Sequence, residues 1–540
     1  MLRCNGQPSN ARANCVSKAI DVRQHPVSTT GGKPAPALGG PNNSPAQASL
    51  GSLAPRRLLQ LTAIVLAFFT ALACARTPPP EEPTSSPDPT VAGHSPSPTT
   101  GPPPPTPTPA PYVHLVEPGE TLDYIAGSFG CSAQDLIETN YLENPHSLQI
   151  GQPLLLPPLD LPSGPATLLL PDSQFVYGPA SLGFDTETFC QTRPGYLNSY
   201  EELVDGETLT GPQIVELMAR RYSVNPRLLL AMIEFQSGWV DNPSPAGWAL
   251  EHPLGATAEG QATLLFQLAW AADRLNEGYY DWKGRGREVI GLLEGERAQY
   301  DPGINAGTAA VQYFLAYNAT WDEWQAISGD GPDSFLTTYR GLFGDPFARA
   351  QEPGVPPDLQ QPDLRLPWES GHTWYYTGGP HGAWNDGSGW AAVDFITPEQ
   401  LGCQMSGEWT VAAASGLVVR SHDGVVMLDL DGDGHEETGW NLFYMHVAAE
   451  DRVSAGTFVD QGQRLGHPSC EGGYSTATHL HFARKYNGEW IPADGSCPLV
   501  LSGWRAHATS ESYEGTLTRG EQQRTACECR EDQINGLTAE

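Results

Sequence analysis

The sequence is poor in basic residues for a chain of 540. It has 29 Lys and Arg against 62 Asp and Glu, which gives a formal net charge of −33. Such a chain has little to offset phosphate charge, so nucleic acid is excluded as an expected partner. None of its 10 cysteines form a C-x-x-C pair, which argues against a structural zinc ribbon. An apolar fraction of 39% with 14 Trp excludes a wholly disordered protein, and the length allows about three or four domains.

Long apolar runs are also lacking, with one exception near the N-terminus. Residues 58–74, LLQLTAIVLAFFTALAC, follow Arg56 and Arg57 and end in small residues. The run is shorter than the ~20 residues that a spanning helix needs, so it predicts an export signal, with an uncleaved signal anchor as the alternative. Cys74 resembles the lipidated cysteine of bacterial lipoproteins. We therefore expect an extracytoplasmic protein of the cell envelope, membrane-anchored or secreted, with an unstructured extension over 1–57.

Residues 75–111 are rich in Pro, Thr and Ser and separate the signal from the folded part. Proline at this density keeps the backbone extended at about 3.1 Å per residue. The segment is therefore predicted to be a semi-rigid linker that lets the downstream domains reach a nearby polymer.

Residues 112–158 have the pattern of a small β-α-α-β unit. Thr121 and Ser132 stand at capping positions before two helices with apolar stripes, and a return strand follows Gly151. The landmarks PGETL, IA, F, a central N and GQPLLLP resemble a LysM module. That resemblance implies binding to glycan that contains N-acetylglucosamine; the alternative is a module that only spaces its neighbours. The residues implied in binding are Gly119, Glu120, Thr121, Leu122, Asn144 and Ile150.

Helical patterns dominate residues 165–360. Periodic apolar residues predict helices over 212–222, 262–277 and 306–316. A further helix is predicted to begin at Asn225-Pro226, where a capping side chain precedes a proline suited to the first turn.

The run VNPRLLLAMIEFQSGW in this region resembles the active-site helix of the lysozyme-like lytic transglycosylases. In that family a Glu directly before Ser is the general acid, and Gln236 takes its place here. An amide cannot donate the proton that glycoside cleavage requires. Glu234 lies about 200° round the helix and does not substitute for it. The middle domain is therefore predicted to be lysozyme-like and non-catalytic.

Residues 366–506 concentrate the residues that carry chemistry. Alternating apolar runs broken by glycine predict an antiparallel sheet. In the segment THLHF, residues two apart on a strand face the same side, so His479 and His481 project together while their neighbours point into the core. Two imidazoles on one face suit a metal ligand beside a proton-transfer group.

Two other segments supply the remaining candidates. The same alternation in WNLFYMHV predicts that Leu442, Tyr444 and His446 share one side of a strand. Asp394 and His381, from TGGPHGAWNDGSGWAAVDF, complete a His-His-Asp set. Zn²⁺ with three nitrogen or oxygen ligands keeps a fourth position for water, as catalytic zinc sites do.

Together these segments resemble the lysostaphin-type zinc endopeptidases, and the spacing from His381 to Asp394 resembles their β-lytic and staphylolysin branch. The landmarks VAAASGLVV, VSAGTFVDQGQRLGHPSC and HLHF follow in the family's order. The resemblance implies that His381, Asp394 and His481 bind zinc. It also implies that His446 and His479 are the catalytic pair for acid–base chemistry and transition-state stabilisation. The family's substrates are peptide cross-links of peptidoglycan.

A second metal is suggested by the segment LDLDGDGHEETGW. Asp429, Asp431 and Asp433 stand at alternate positions, as in the first half of an EF-hand loop that binds Ca²⁺. The twelfth position is Trp440 rather than Glu. A polar turn between two strands explains the segment equally well.

The fold class predicted from these segments is a multidomain α+β protein with a LysM module, a mainly helical domain and an antiparallel-β zinc peptidase domain. Residues 507–540 are predicted to be a polar tail, to which no function is assigned. We expect a peptidoglycan endopeptidase with Zn²⁺ as cofactor, directed to the wall by its glycan-binding module. The alternative is a non-catalytic wall-binding scaffold or an activator of other wall hydrolases.

Overall fold

The computed structural model describes residues 113–540, except 117–120, 130, 143, 146–147, 150–151, 158–160, 259, 286–288 and 400–401. The extension over 1–57, the signal segment with Cys74 and the linker over 75–111 lie outside the described residues. So do Gly119, Glu120 and Ile150 of the predicted glycan-binding set. None of the helices in the described part of the chain is long and apolar enough to cross a membrane.

The β-α-α-β unit predicted over 112–158 is present, and its two strands pair antiparallel. Ser132 caps the second helix: its hydroxyl accepts the Asp135 N–H at 3.0 Å, and the Asp135 carboxylate accepts the Ser132 N–H at 2.9 Å. The unit closes over a small core that includes Ile125, Leu136 and Leu154. Its elements are β1 (Val113–Leu115), α1 (Leu122–Phe129), α2 (Ala133–Asn140) and β2 (Pro153–Leu155).

Helices dominate the middle domain, as predicted. The Asn225 side chain accepts the Arg227 N–H at 3.0 Å and caps a helix whose first residue is Pro226. Short 3₁₀ and π turns link the longer elements at Pro179–Ser181, Tyr196–Ser199, Asp281–Arg285, Leu293–Gly295 and Pro346–Arg349. The helices are α3 (Asp172–Phe175), α4 (Thr186–Gln191), α5 (Gly211–Tyr222), α6 (Pro226–Ser237), α7 (Trp248–Glu251), α8 (Leu264–Tyr280), α9 (Ala306–Ala316), α10 (Trp321–Ile327) and α11 (Phe335–Phe343). Two hairpins accompany them, β3 (Glu201–Val204) with β4 (Glu207–Thr210) and β5 (Val289–Gly291) with β6 (Arg297–Gln299).

Strands make up the last domain. They are β7 (Thr373–His381), β8 (Ala392–Ile396), β9 (Thr410–Val411), β10 (Gly416–His422), β11 (Val425–Asp429), β12 (Trp440–Met445), β13 (Phe458–Val459), β14 (Arg464–Gly466), β15 (Leu480–Tyr486), β16 (Glu489–Trp490), β17 (Val500–Leu501), β18 (Trp504–Ala508), β19 (Gly515–Arg519), β20 (Gln522–Thr525) and β21 (Gly536–Thr538). Among the described residues, nine of them form an antiparallel sheet in the order β13-β10-β11-β12-β15-β8-β7-β21, with β16 beside β15. Strands β17 to β20 form a second sheet, and β9 pairs with β14.

The two faces of the large sheet pack against different partners. On one face Tyr444 and Phe482 belong to the core of the last domain itself. On the other face Phe443 and Ala483 join the core of the helical domain. The sheet is therefore buried on both sides, and the helical domain covers the face toward which His481 points.

Polar contacts accompany this packing between the helices and the sheet. The Tyr280 hydroxyl accepts the Trp490 N–H at 3.0 Å, and the Tyr279 hydroxyl donates to Glu489 at 3.0 Å. The Ser223 hydroxyl donates to the Gly488 carbonyl at 2.6 Å. The end of α8 and the hairpin after β15 are thus fastened to each other through buried groups.

The C-terminal residues correct the predicted boundary at 506. That boundary falls inside β18, and the residues after it form β19 and β20, so the segment over 507–540 is part of the fold. Leu517 and Leu537 are buried in the core of the last domain, and β21 pairs with β7, the strand that ends at His381. The prediction missed this because the apolar residues of these short strands are few and widely spaced.

Candidate metal centre

Three side chains from three adjacent strands of the sheet converge on one point. His381 ends β7, Asp394 lies in β8, and His481 lies in β15 directly opposite Asp394. His381 Nε2 is 3.0 Å from His481 Nδ1 and 3.4 Å from Asp394 Oδ1, and His481 Nδ1 is 3.1 Å from Asp394 Oδ1. Ligands bonded tetrahedrally to zinc at about 2.0–2.1 Å stand roughly 3.3 Å apart. The three atoms therefore have the spacing of a three-ligand zinc site.

The backbone of β7 makes room for this convergence. Its pairing with β8 shifts register on both sides of Gly378, which lies opposite Asp394. A Cβ at Gly378 would come within 2.6 Å of Asp394 Oδ2. Glycine is thus required here, because any side chain would displace the carboxylate.

Backbone carbonyls fix the orientation of both imidazoles. His381 Nδ1 lies 2.7 Å from the Gly379 oxygen, and His481 Nε2 lies 3.0 Å from the Ala383 oxygen. Since a carbonyl only accepts, we assign the ring proton to each of these nitrogens. The other nitrogen of each ring then carries its lone pair toward the shared point. Metal-binding histidines are oriented in this way by their outer partners.

The charges at this point also suit a cation. Burial raises the pKa of Asp394, but His381 and His479 outweigh it and hold that pKa well below its usual range. Burial lowers the pKa of His381, and the Asp394 carboxylate reverses this and raises it. Burial lowers the pKa of His481. Metal binding requires an ionised carboxylate and neutral imidazoles, and these shifts favour the ionised form of Asp394 and the neutral form of His481.

His446 reaches the same face by a route that strand alternation did not predict. Alternation along β12 would turn it with Leu442 and Tyr444 into the core of the last domain, where those two residues lie. Instead β12 ends at Met445, and His446 has a left-handed backbone with φ of +66°. Its ring centroid consequently lies 4.3 Å from that of His479, which corrects the prediction that the three residues share a side.

His446 and His479 are also oriented by backbone carbonyls. His446 Nδ1 lies 3.0 Å from the Glu471 oxygen, and His479 Nδ1 lies 2.7 Å from the Ala477 oxygen. This leaves Nε2 of each ring free to take or give a proton, and His479 Nε2 is 3.8 Å from Asp394 Oδ1. Burial, together with the neighbouring imidazoles, lowers the pKa of His446 to about 3, so this ring is neutral at physiological pH.

A disulfide holds the segment that supports this pair. Cys403 is bonded to Cys470, the residue before Glu471. The Thr478 N–H, next to His479, donates to the Gly402 carbonyl at 2.6 Å. The cross-link therefore ties the loop at Cys403 to the segment over 470–478, whose carbonyls orient both histidines, a connectivity that the sequence left open. A second disulfide joins Cys527 and Cys529.

Tyr513 belongs to this centre and was missed by sequence reasoning. Its ring lies parallel to that of His381, with the centroids 4.1 Å apart and an interplanar angle of 20°. Its carbonyl accepts the Gly379 N–H at 2.6 Å, and half of the residue is exposed. Burial raises its pKa to about 12. Nothing in the local sequence signals this position, because it depends on the loop after β18 returning to β7.

The three aspartates of the predicted calcium loop lie close together. Asp429, Asp431 and Asp433 each offer an oxygen within 4.8 Å of the others. The Asp429 carboxylate accepts the N–H groups of Gly432 and Gly434 at 3.2 and 2.9 Å, as in a polar turn. Calcium binding stays a prediction, and the turn interpretation stands beside it.

Helix α6 of the helical domain carries Gln236 and one carboxylate. Glu234 lies two residues earlier on α6, and its Oε2 accepts the N–H groups of Val240 and Asp241, both at 3.0 Å. Burial raises the pKa of Glu234. The carboxylate thus fastens the chain that follows the helix. The assignment of Gln236 as a degenerate acid position stays a prediction, as does the lysozyme-like fold.

In the LysM module, one predicted ligand contact is corrected. Leu122 is 5% exposed, and its side chain packs in the module's core because it begins the apolar stripe of α1. Its side chain therefore cannot line a binding loop. Thr121 and Asn144 are exposed, and Asn144 lies in the loop after α2.

Two segments of the chain match known protein families. The LysM domain matches residues 114–157, and the LasA N-terminal domain matches residues 168–355. The chain is 27% identical over 384 residues to protease LasA of Pseudomonas aeruginosa, across 68% of this chain and 84% of that protein. It is 29% identical over 162 residues to the β-lytic metalloendopeptidase of Lysobacter enzymogenes, across 29% of this chain and 85% of that protein.

Among solved structures, the M23 metalloprotease pseudoalterin from the deep sea has 24% identity and a TM-score of 0.25, across 31% of this chain and 96% of that one. The Lysobacter relative is named as a β-lytic metalloendopeptidase, the branch that the spacing between His381 and Asp394 suggested. The resemblance to the lysostaphin-type zinc endopeptidases is thereby confirmed, and the chain is a homologue of protease LasA and the β-lytic metalloendopeptidases that also carries a LysM domain.

Proposed function

We propose that this protein is a zinc-dependent endopeptidase that hydrolyses peptide cross-links of peptidoglycan and is directed to the wall by its LysM domain. The observation that carries the proposal is the convergence of His381 Nε2, Asp394 Oδ1 and His481 Nδ1 within 3.0–3.4 Å of one another. The homology to LasA and the β-lytic metalloendopeptidases supports the same activity.

The donor set fits zinc on chemical grounds. Two imidazole nitrogens and one carboxylate oxygen are ligands that zinc prefers, and three protein ligands leave one position for the reaction. A zinc ion held there would polarise the substrate carbonyl and lower the pKa of water. The carbonyls of Gly379 and Ala383 keep the two imidazoles turned toward it.

The second pair of histidines would move the protons. His446 and His479 each hold Nδ1 against a backbone carbonyl, so each presents Nε2 to the substrate side of the centre. Peptide hydrolysis needs one group to remove a proton from the attacking water and one to supply a proton to the leaving amine. Two adjacent imidazoles, with centroids 4.3 Å apart, can divide these tasks.

The test is muropeptide analysis of wall digested by the purified protein, with and without a zinc chelator. New free amino ends that disappear with the chelator and return with added zinc are expected. His381→Ala should abolish them, whereas His435→Ala, which removes an exposed histidine of the same domain, should not. Absence of products from the zinc-loaded protein would favour a wall-binding scaffold, and anhydro-sugars would show glycan cleavage by the helical domain.

Membrane tethering forms a separate part of the proposal. Residues 58–74 carry the features of an export signal, and Cys74 stands where a lipoprotein is acylated. Radiolabelled palmitate should enter the wild-type protein and not Cys74→Ser. Labelling of both or neither would contradict the lipoprotein assignment.

A further inference from the structure

The loop between the first two candidate ligands, residues 382–391, is a compact structure of its own. The buried Ser388 hydroxyl accepts the Trp384 N–H and donates to the Asn385 carbonyl, both at 2.9 Å. The Ala383 N–H donates to the Gly389 carbonyl at 3.1 Å, which closes the loop at its base. These bonds connect the base of the loop to its tip. A displacement of the tip therefore also displaces Ala383.

The tip of this loop rests on helix α8 of the helical domain. Asp273 Oδ1 accepts the Gly387 N–H at 2.9 Å. The contact is close enough that a Cβ at Gly387 would overlap the Asp273 carbonyl oxygen. Nearby, the Trp384 ring meets Tyr222 edge-on with centroids 6.2 Å apart.

The other end of the loop reaches the candidate metal centre. The Ala383 carbonyl accepts the Nε2 proton of His481 at 3.0 Å, and this bond turns Nδ1 toward Asp394 and His381. A continuous path of contacts therefore runs from a carboxylate of the helical domain to a metal ligand of the sheet.

We propose that Asp273 is a positioning residue for the metal centre: it anchors Gly387 and thereby holds the Ala383 carbonyl that orients His481. The inference rests on the proposed function, since it assumes that His481 binds zinc. It assigns the helical domain a part in metal binding, beyond covering one face of the sheet.

The surroundings of Asp273 agree with an enclosed anchor. Burial raises its pKa to about 7, while the Gly387 N–H and Asn385 oppose the rise. The oxygen that accepts from Gly387 can do so in either protonation state, so the anchor needs an acceptor oxygen and not a charge.

The experiment measures the zinc dissociation constant of the purified full-length protein by competition with a chromogenic chelator. Asp273→Ala is expected to weaken zinc binding by about tenfold, the lower end of what loss of an outer-shell partner causes. Asp273→Asn keeps an acceptor oxygen and should stay within about twofold of wild type by the same scale. The visible spectrum of the cobalt-substituted protein should change in Asp273→Ala and not in Asp273→Asn.

The matched control is Glu234→Ala, which also removes a partly buried carboxylate that accepts backbone N–H groups, but wholly within the helical domain. It should leave the zinc constant and the cobalt spectrum unchanged. If Asp273→Ala does not fold, Gly387→Ala displaces the same loop from α8 and should weaken zinc binding likewise.

The outcomes separate the two proposals. Suppose that the wild-type protein binds zinc. If Asp273→Ala then has the same zinc dissociation constant as wild type, or if Glu234→Ala weakens zinc binding as much as Asp273→Ala does, the positioning role is overturned and the proposed function still stands. A wild-type protein that binds no zinc overturns the proposed function and this inference with it.

Discussion

Two carboxylates in this protein, the buried Asp394 in the sheet and the half-buried Glu234 near the end of α6, show how surroundings decide what a carboxylate does. Asp394 faces imidazoles: three histidine nitrogens lie between 3.1 and 3.8 Å from its Oδ1. Glu234 faces backbone, and one of its oxygens accepts two N–H groups at 3.0 Å. The first arrangement leaves lone pairs directed at a shared point, and the second uses them to fasten the chain.

The same comparison extends to the two domains. In the sheet the reactive groups come from separate strands and loops that the fold brings together, and the donor set is complete. In the helical domain glycoside cleavage would depend on a single general acid, and the position predicted for that acid holds Gln236. Removing a carboxylate should therefore damage activity in one domain and stability in the other.

The largest effect is expected for Asp394→Ala. Loss of a ligand should weaken zinc binding by more than the roughly 100-fold that loss of an outer partner can cause, and it should abolish wall hydrolysis. Zinc content after dialysis and release of free amino ends from peptidoglycan check this. Asp460→Ala, at an exposed aspartate of the same domain, is the control. Full zinc content in Asp394→Ala would remove this residue from the ligand set.

His479→Ala should lower the rate of hydrolysis by about 10²–10⁴-fold, the usual contribution of a positioned acid or base. Zinc content should remain at the wild-type level, because the ligand from this segment is His481, in β15. Rates on a synthetic cross-link peptide, normalised to bound zinc, give the measurement. His507→Ala changes a histidine that bonds to Thr518 and should leave the rate unaltered. A His479 variant that loses zinc as Asp394→Ala does would make His479 a ligand instead.

Several structural features of both domains could be predicted from local sequence. Helix α9 has the predicted bounds, Ala306–Ala316, and α6 begins at Pro226 behind its Asn225 cap. The pairing of His479 and His481 on one face followed from strand alternation alone. These features depend on residues within a few positions of each other, where periodicity and capping are informative.

The rest depended on the backbone's departures from regularity. His446 reaches the centre because its φ is positive, and no residue type at that position announces this. Tyr513 contacts His381 across 132 positions of sequence, through strands too short to predict. The packing of the helical domain against the sheet was not predicted either. Successive side chains of β12 enter two different cores, one on each face of the sheet, rather than alternating between a core and water.

Glu234→Ala should lower the free energy of unfolding by about 1–3 kcal/mol, because two backbone N–H groups near the end of α6 lose their acceptor. Wall hydrolysis per folded molecule should not change. Urea denaturation at neutral pH, followed by tryptophan fluorescence, provides the measurement. Unchanged stability would show that solvent replaces the carboxylate.

The variant Glu234→Gln tests how the contribution of Glu234 to stability depends on pH. Because the pKa of Glu234 is raised on folding, ionisation of this side chain opposes folding. The stabilisation that the protonated carboxyl contributes to folding is complete below the unfolded pKa of about 4.5 and is lost as pH rises through the folded pKa. The neutral variant should therefore gain stability relative to wild type as the pH rises above the unfolded pKa. A constant difference over that range would contradict the raised pKa.

The smallest effect is expected for Gln236→Ala, which should change neither wall hydrolysis nor the products released. The residue lies on α6 beside a carboxylate that is already bonded to backbone, so nothing near it in that helix can supply a proton to a glycosidic oxygen. If the helical domain cleaved glycan by another acid, anhydro-sugars would appear with wild type and with Gln236→Ala alike. If Gln236 itself mattered, they would appear with wild type only. Their absence in both would leave all hydrolysis to the sheet, where the histidines and Asp394 meet.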